Sequence, residues 1–258
     1  MHPVIINIFG IKIFSYGLMM AIGMMLGLWV CVYLAKKSGI NSDEIFNLAF
    51  VVIIFSILGA RLFYVAINLN YYLKHPIEII LLNKGGLVFY GGLIGGFLSG
   101  LYYVRKNNLP ILKICDIFFT ALPLGQAFGR VGCFLNGCCY GIPTNSNWGV
   151  IFPPHSLPFQ HYKDFVLLHP VQLYNSSANF IIFLILFTIY DEKKFDGMIV
   201  CFYGLLYSTS RFLTEFYRGD MARHLGLTIA QWISIVFFLL SAFALFYLYN
   251  KKSGKDSF

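Results

Sequence analysis

Three arginines stand inside apolar stretches of the sequence, where a charged side chain is costly. They are Arg61, Arg130 and Arg211. At the centre of a helix in lipid, such a residue costs about 2.5 to 3.5 kcal/mol on insertion scales. Arginine is a planar, bidentate ligand for phosphate, and few acidic residues accompany these three. We therefore predict an anion site for a phospholipid phosphate. The alternative is that each arginine reaches the membrane surface alone and only anchors its helix.

The overall composition is that of a membrane protein. Of the 258 residues, 58% are hydrophobic and 12% are charged, whereas soluble domains carry about 25% charged residues. This excludes a soluble enzyme. The 27 Phe and 17 Tyr residues exclude a disordered chain. The net charge of +8 comes from short clusters between apolar runs rather than from one exposed face, which argues against nucleic-acid binding.

Seven apolar runs are long enough to cross a bilayer as helices, which takes about 20 residues each. We therefore predict an all-α, polytopic membrane protein whose seven transmembrane helices form a single domain over residues 1–258. The runs are Phe14–Ala35, Ile45–Leu69, Leu87–Val104, Ile117–Leu135, Val171–Tyr190, Gly197–Thr214 and Leu225–Tyr249.

The basic residues between the runs predict the orientation. Alternation of the runs places ten lysines and arginines on one side and six on the other, which with the three inside the runs accounts for all 19. Because cytoplasmic loops are enriched in Lys and Arg, the side with ten is predicted to be cytoplasmic. The C-terminus then lies inside and the N-terminus outside. The longest loop, Asn136–Pro170, is predicted to form a small extracytoplasmic cap.

This topology places the three arginines at one depth. Each lies in the outward half of its predicted helix, just below the outer headgroups. The same layer collects polar residues from other helices, although tyrosines are also routine at membrane interfaces without a further role. These polar residues are Tyr16, Tyr90, Asn136, Gln172, Tyr174, Tyr207 and Glu215.

Paired glycines crowd the start of the third run, at positions 85–86, 91–92 and 95–96. Gly92-x-x-x-Gly96 is a small-xxx-small pattern, which favours close packing between helices. The alternative interpretation is that a glycine-lined helix leaves room for a lipid chain or headgroup.

Three of the six cysteines, Cys133, Cys138 and Cys139, lie at the outer end of the fourth run. Their C-x4-C-C spacing matches neither a C-x-x-C redox pair nor a zinc knuckle. A disulfide from Cys133 to Cys138 or Cys139 fits an oxidising exterior. A metal site with His155 or His161 is the weaker alternative, and we predict neither a bound metal nor a cofactor.

The segment from Gly129 to Gly141, G-R-V-G-C-F-L-N-G-C-C-Y-G, resembles the signature of prolipoprotein diacylglyceryl transferases. That signature has the form G-R-x-G-N-F-x-N and ends in Gly. The resemblance extends over nearly the whole chain, because five further segments match the family's motifs in the expected order. They are residues 15–18, 59–62, 90–95, 169–174 and 211–218.

The resemblance implies an enzyme of the bacterial inner membrane. The family transfers the diacylglyceryl group of phosphatidylglycerol to the lipobox cysteine thiol of a prolipoprotein, which forms a thioether and releases glycerol-1-phosphate. The implied partners are phosphatidylglycerol, the prolipoprotein signal peptide and the lipid bilayer, without nucleic acid. By position, Arg130 and Arg211 would bind and polarise the phosphate, with Tyr90 as a third catalytic residue. The matching substrate-binding positions are Arg61, Tyr16, Asn136, Gly141, Tyr207, Glu215, Gly91 and Gly92.

Two departures from the family pattern concern the acceptor thiol. Tyr90 stands where many members have histidine, and a tyrosine, with a pKa near 10, is a poor base at neutral pH. The thiol could instead ionise in the field of the arginines. The second departure is Cys133, which replaces the family's Asn.

These departures leave two alternative functions open. One is a paralogue that acts on a different thiol acceptor. The other is a membrane thiol oxidoreductase that uses Cys133, Cys138 and Cys139. A transporter or lipid-binding scaffold is disfavoured, because the polar residues gather at one face and seven helices do not divide into equal halves.

Overall fold

A computed structural model describes residues 4–8, 11–81, 85–154 and 156–253. The described residues are mostly helical. The helices are α1 (Ser15–Lys37), α2 (Ser42–Ile67), α3 (Leu69–Tyr72), α4 (Phe89–Lys106), α5 (Ile111–Asn136), α6 (Leu157–Tyr162), α7 (Val171–Ile189), α8 (Met198–Glu215) and α9 (Ile229–Ser253), with a 3₁₀ turn at Pro76–Ile79. The strands form three antiparallel pairs, β1 (Val4–Ile8) with β2 (Ile11–Phe14), β3 (Val150–Ile151) with β4 (Leu167–Leu168), and β5 (Arg223–His224) with β6 (Leu227–Thr228).

Five of the described helices, α1, α2, α5, α7 and α9, are long and apolar enough to cross a membrane. They coincide with five of the seven predicted runs, so the prediction of a helical, multi-pass membrane protein is confirmed. Helices α4 and α8 cover the other two runs, with 18 residues each. They are less apolar, because α4 is rich in Gly and Tyr and α8 contains an Arg, a Glu and several Ser and Thr residues.

The last helix begins later than the sequence predicted. The seventh run starts at Leu225, but α9 starts at Ile229. Leu225 and Gly226 form the turn of the β5–β6 hairpin with φ angles of 53° and 80°, and two-residue hairpin turns favour positive φ. Thr228 and Gln231 then form a capping box, in which each backbone N–H donates to the other's side chain at 2.9 and 3.2 Å.

The chain divides into two compact units. Unit 1 comprises Met1–Cys31 and Cys115–Phe258, and unit 2 comprises Val32–Ile114. Each unit has its own helix packing and is described by itself.

A buried carboxylate in unit 1 fixes α8 to α5. The Asp116 side chain, at the start of α5, accepts hydrogen bonds from the backbone N–H groups of Gly197, Ile199 and Val200 at 2.9, 3.1 and 3.2 Å. It also pairs with Lys193 at 3.0 Å. The first N–H groups of a helix lack partners within the helix, so an acceptor there both caps α8 and sets its position. The two helices of unit 1 that carry predicted site arginines, α5 and α8, are thereby held together.

The loop between α5 and α7 has a small hydrophobic cluster. Tyr140, Phe152 and Leu168 are buried, and Val150 and Val166 pack against them. The β3–β4 ladder pairs positions 150 with 168 and 151 with 167. The cluster and the β3–β4 ladder pack described parts of this loop against each other.

In unit 2, α2 and α4 pack with their backbones in close approach. A Cβ at Gly91 or Gly95 would meet backbone oxygen atoms of α2, at Gly59 and Phe55 respectively. A Cβ at Gly92 would lie 3.2 Å from the carbonyl of Ser56. The glycine pattern of the third run therefore serves the close packing that small-xxx-small patterns favour.

Candidate functional site

Polar residues of unit 1 gather at one end, where α1 begins and α5 and α8 end, which we call the site end. Gly132 of α5 lies against Tyr16 of α1, since a Cβ there would meet the Tyr16 ring at 3.2 Å. Gln172, the second residue of α7, donates to the carbonyl of Cys138 at 2.7 Å. Gly141 and Arg218 form an antiparallel bridge after α5 and α8. The elements thus meet at one end, as the predicted alternation requires.

Arg211 and Glu215 form a buried ion pair in the last turns of α8. An Arg211 Nη2 to Glu215 Oε2 distance of 2.8 Å joins side chains that are 14% and 0% exposed. Beyond this ion pair, the Arg211 Nη1 and Glu215 Oε1 atoms have no hydrogen-bond partner among the described residues. A buried polar group left without such a partner costs about 1–3 kcal/mol. The arrangement therefore offers an oriented donor, Arg211 Nη1, to a ligand.

Arg130 completes a cationic cluster at the site end. It lies half-buried on α5. Its positive charge interacts electrostatically with Arg211, Tyr16 and Cys139. No hydrogen bond or ion pair holds its guanidinium to the residues that the structure describes. Two neighbouring guanidiniums with uncommitted donors repel each other unless an anion lies between them.

Arg218 is a third arginine of this cluster, and the sequence did not single it out as a site residue. It binds Asp220 in a bidentate manner at 2.9 and 2.7 Å and lies near Arg211, Glu215 and Cys139. Burial alone would lower the pKa of Arg218, but the Asp220 carboxylate offsets this and the pKa is raised. The signal was present in the matched segment 211–218, which ends on this residue.

The charges at the site end sum to a cation. Three guanidiniums, from Arg130, Arg211 and Arg218, face two carboxylates, from Glu215 and Asp220, which leaves a formal charge of +1. A partly buried site of this kind binds an anion, and planar guanidiniums favour phosphate or carboxylate.

The three outer cysteines lie together at the same end. All six cysteines of the chain are free, so the disulfide considered for Cys133 is not formed. The sulfur atoms of Cys133, Cys138 and Cys139 all lie within 4.8 Å of one another. Hydrogen bonds from the Cys133 and Cys138 thiols, and then the charges of Arg218 and Arg130, lower the pKa of Cys139 against the effect of burial.

The histidines considered as partners of these cysteines contribute no described ligand. His155 lies outside the described residues. The His161 ring packs against Tyr162 and Tyr140, with centroid distances of 4.6 and 5.9 Å. Among the described residues, the group of potential metal ligands at this place consists of the three cysteines.

Three other predicted site residues of unit 1 line or approach the same end. Tyr207 stacks on Tyr203 with a centroid distance of 5.3 Å and an interplanar angle of 12°. Tyr207 also interacts electrostatically with Arg211. Asn136 is exposed at the last residue of α5. Tyr16 is 42% exposed. Their roles in substrate binding stay predictions.

Gly141 is held where no side chain fits. A Cβ at this position would lie 2.7 Å from a Val171 methyl group and against the carbonyl of His169. We expect Gly141→Ala to lower the free energy of unfolding by about 1–3 kcal/mol, because overpacking forces the backbone to shift. Thermal unfolding in detergent measures this. Gly17→Ala is the control, since a Cβ there has no neighbour within 4 Å. Equal stabilities of the two variants would contradict the expectation.

Arg61 lies in unit 2, enclosed by backbone carbonyl groups. Its guanidinium donates to the carbonyls of Ile79 (2.9 Å), Gly86 (3.0 Å) and Leu81 (3.1 Å), and also to those of Glu78 and Gly85. The Arg61 guanidinium also makes cation–π contacts, with its Cζ atom 5.8 Å from the Tyr64 ring centroid and 5.4 Å from that of Tyr72. These contacts commit its donors to carbonyls of residues 78–81 and 85–86.

The remaining predicted residues of unit 2 lie at the start of α4. Tyr90 is 64% exposed, edge-on to Phe89 with a centroid distance of 5.8 Å. Gly91 and Gly92 face α2. The structure describes these residues within unit 2 alone, so their part in a shared site with unit 1 stays a prediction.

Comparison with known proteins gives a consistent result. The family model for prolipoprotein diacylglyceryl transferases matches residues 3–247. A phosphatidylglycerol–prolipoprotein diacylglyceryl transferase of Clostridioides difficile is 37% identical over 257 residues, which covers 100% of this chain and 99% of the relative. Proteins with the same name from Finegoldia magna and Thermotoga maritima are 39% and 35% identical, and cover 91% and 98% of this chain and 91% and 87% of their own lengths.

Proposed function

The chain belongs to the prolipoprotein diacylglyceryl transferase family, and we propose that it transfers the diacylglyceryl group of phosphatidylglycerol to the lipobox cysteine of a prolipoprotein. The products are a thioether-linked lipoprotein and glycerol-1-phosphate. The chain is a transferase of lipoprotein biosynthesis, as its relatives are named. The observation that carries the proposal is the buried Arg211–Glu215 pair, in which one terminal nitrogen of Arg211 has no partner among the described residues and the guanidinium interacts electrostatically with Arg130.

The proposed role of the arginines follows from where charge develops. As the carbon–oxygen bond to the phosphate breaks, negative charge grows on the leaving phosphate. Donors that are already oriented in a partly buried site stabilise that charge without reorganising. Glu215 keeps Arg211 in its orientation, and Arg130 supplies a second donor group. Bidentate binding of the phosphodiester would also align the reacting carbon for in-line attack by the thiol.

The proposal also includes the number and orientation of the helices in the membrane. We infer seven transmembrane helices, with α4 and α8 as the two spans beyond the five apolar ones. A helix of 18 residues is about 27 Å long, close to the hydrocarbon thickness of about 30 Å. Lysine and arginine in the last turns of α1, α4 and α9 support a cytoplasmic position for those ends. The site end and the 136–170 cap would then face outward from the bacterial inner membrane.

The predicted site residues of unit 2 have proposed roles near the lipid substrate. Tyr90 would border the lipid at the outer end of α4. Gly91 and Gly92 would contribute indirectly, by letting α4 pack closely against α2. Arg61 would act by fixing the positions of residues 78–81 and 85–86, since its donors are already committed to their backbone carbonyls.

Reconstitution tests the function directly. The full chain in phosphatidylglycerol vesicles is mixed with a peptide that carries a lipobox cysteine, and the peptide mass is followed. We expect the mass increment of one diacylglyceryl group, stable to reductant. The control peptide has serine in place of cysteine and should remain unmodified. A peptide that becomes disulfide-linked, without any lipid increment, would contradict the transferase and favour the thiol oxidoreductase.

A further inference from the structure

The spacing of the three outer thiols suits a single metal ion. The sulfur atoms of Cys133, Cys138 and Cys139 lie within 4.8 Å of one another. Zinc binds thiolate sulfur at about 2.3 Å, so sulfurs on one tetrahedral zinc lie about 3.8 Å apart. Closure of the cluster needs only small side-chain rotations. Structural zinc sites use four protein ligands, whereas catalytic sites use three and keep the fourth position for a reactant.

The backbone builds this cluster from residues five and six positions apart. At the end of α5, the N–H of Cys138 donates to the carbonyl of Cys133 at 3.1 Å, and that of Gly137 to the carbonyl of Phe134 at 3.1 Å. With a φ of 74° at Gly137, this is a Schellman motif, which folds Cys138 back over Cys133. Cys139 then adopts a φ of 58°, a conformation that non-glycine residues seldom keep without a compensating reason.

The surroundings of the cluster compensate its charge. Three thiolates and one Zn²⁺ carry a net charge of −1. Arg130 and Arg218 both act on Cys139, and cations at this distance stabilise an anionic metal–thiolate group.

We propose that Cys133, Cys138 and Cys139 bind a zinc ion whose fourth position takes the acceptor thiol of the peptide substrate. This inference rests on the proposed function, in which a thiol is alkylated at the site end. A thiol must lose its proton to become a good nucleophile, and coordination to a metal ion deprotonates a thiol outright. The cluster lies beside Arg130, one of the arginines proposed to hold the phosphate, so the nucleophile and the leaving group meet in one place.

The acceptor S–H proton passes to water at the membrane surface as the sulfur–zinc bond forms. An electron pair of that sulfur then forms the bond to the diacylglyceryl carbon. The carbon–oxygen bond to the phosphate breaks, and its electron pair leaves with glycerol phosphate, held by Arg130 and Arg211. The product is a neutral thioether, a weaker ligand than a thiolate, which leaves the zinc.

Metal binding is measured first, without reference to catalysis. The full chain in detergent is loaded with zinc, dialysed and analysed for metal, and a second sample is loaded with Co²⁺ for its sulfur-to-cobalt charge-transfer band. The wild type and Cys115→Ser, a control thiol on the same helix, should retain one metal ion per chain. Cys133→Ser, Cys138→Ser and Cys139→Ser should each lose it while eluting as folded protein. A wild type without retained metal, or three serine variants that keep it, would overturn the proposal.

The fourth ligand is tested with the cobalt-loaded protein. Addition of the cysteine peptide should intensify the charge-transfer band, and the serine peptide should leave it unchanged. Identical spectra with both peptides would reject the acceptor as a ligand. This readout does not depend on lipid transfer, so it separates failure of the zinc site from failure of the proposed function.

The third test measures diacylglyceryl transfer with and without the metal. Removal of the metal by a chelator should slow diacylglyceryl transfer by about 10²-fold, the scale of proton-transfer assistance, and added zinc should restore the rate. Full activity of the metal-free enzyme would leave the transferase intact and refute the zinc proposal. Absence of transfer under every condition, with the peptide-dependent cobalt band present, would refute the transferase and leave the metal site standing.

Discussion

Arg211→Ala is expected to slow diacylglyceryl transfer by about 10²–10³-fold, because loss of one preorganised donor to a developing anion has that effect. The structure gives the reason, since Arg211 is held by the buried Glu215 carboxylate and keeps one terminal nitrogen unpaired among the described residues. Arg211→Lys should lose nearly as much, as an ammonium group cannot bind in a bidentate manner. The rate of peptide lipidation in phosphatidylglycerol vesicles measures both.

The stability of this variant needs separate control. Removal of Arg211 leaves a buried, uncompensated carboxylate, which costs about 3–5 kcal/mol. The double variant Arg211→Ala/Glu215→Gln removes that charge and should unfold close to the wild-type temperature while remaining inactive. Arg223→Ala is the matched control, an exposed arginine of the β5–β6 hairpin, and should transfer at the wild-type rate. Wild-type activity in the double variant would refute the role given to Arg211.

Arg61→Met is expected to lower the free energy of unfolding by about 3 kcal/mol or more. A hydrogen bond to a charged group contributes about 1.5–3 kcal/mol, and the Arg61 guanidinium donates to the carbonyls of five residues between 78 and 86. Arg61→Lys should recover only part of this, because three donors on one nitrogen cannot reach carbonyls spread around a planar fork.

Unfolding in detergent and limited proteolysis of the 76–86 segment report the effect. Arg105→Met is the control, an exposed arginine in the last turn of α4 within the same unit. If Arg61→Met were as stable and as protease-resistant as Arg105→Met, the hydrogen bonds from Arg61 to the backbone carbonyls would not contribute to stability. A role for Arg61 in lipid binding through its own donors would then be favoured.

The sequence was sufficient for the fold class. Five runs became helices that are long and apolar enough to cross a membrane, because lipid leaves a continuous apolar segment few options other than a helix with satisfied backbone groups. The start of α9 was misplaced for a local reason, since the hydropathy of Leu225 outweighed the turn signal of Gly226 and the capping box that begins at Thr228.

The family was also accessible from the sequence, because its motifs are short and ordered along the chain. Arg130 and Arg211, like Arg61, were singled out by the cost of charge in apolar segments, and that cost is a property of residue type and position alone. The alternation of helices was enough to predict that they share one end.

Only the tertiary structure shows which of the arginines cluster together. Arg61 is committed to carbonyls of its own unit, whereas Arg218, which the sequence placed in a loop, joins Arg130 and Arg211. Likewise, the C-x4-C-C spacing matched no known ligand pattern until the Schellman turn brought the three sulfurs together. Residue types and the lengths of apolar runs determine which segments form helices. The partners of a side chain depend on backbone turns and on segments distant in the chain, and the spacing of residues along the sequence does not contain that information.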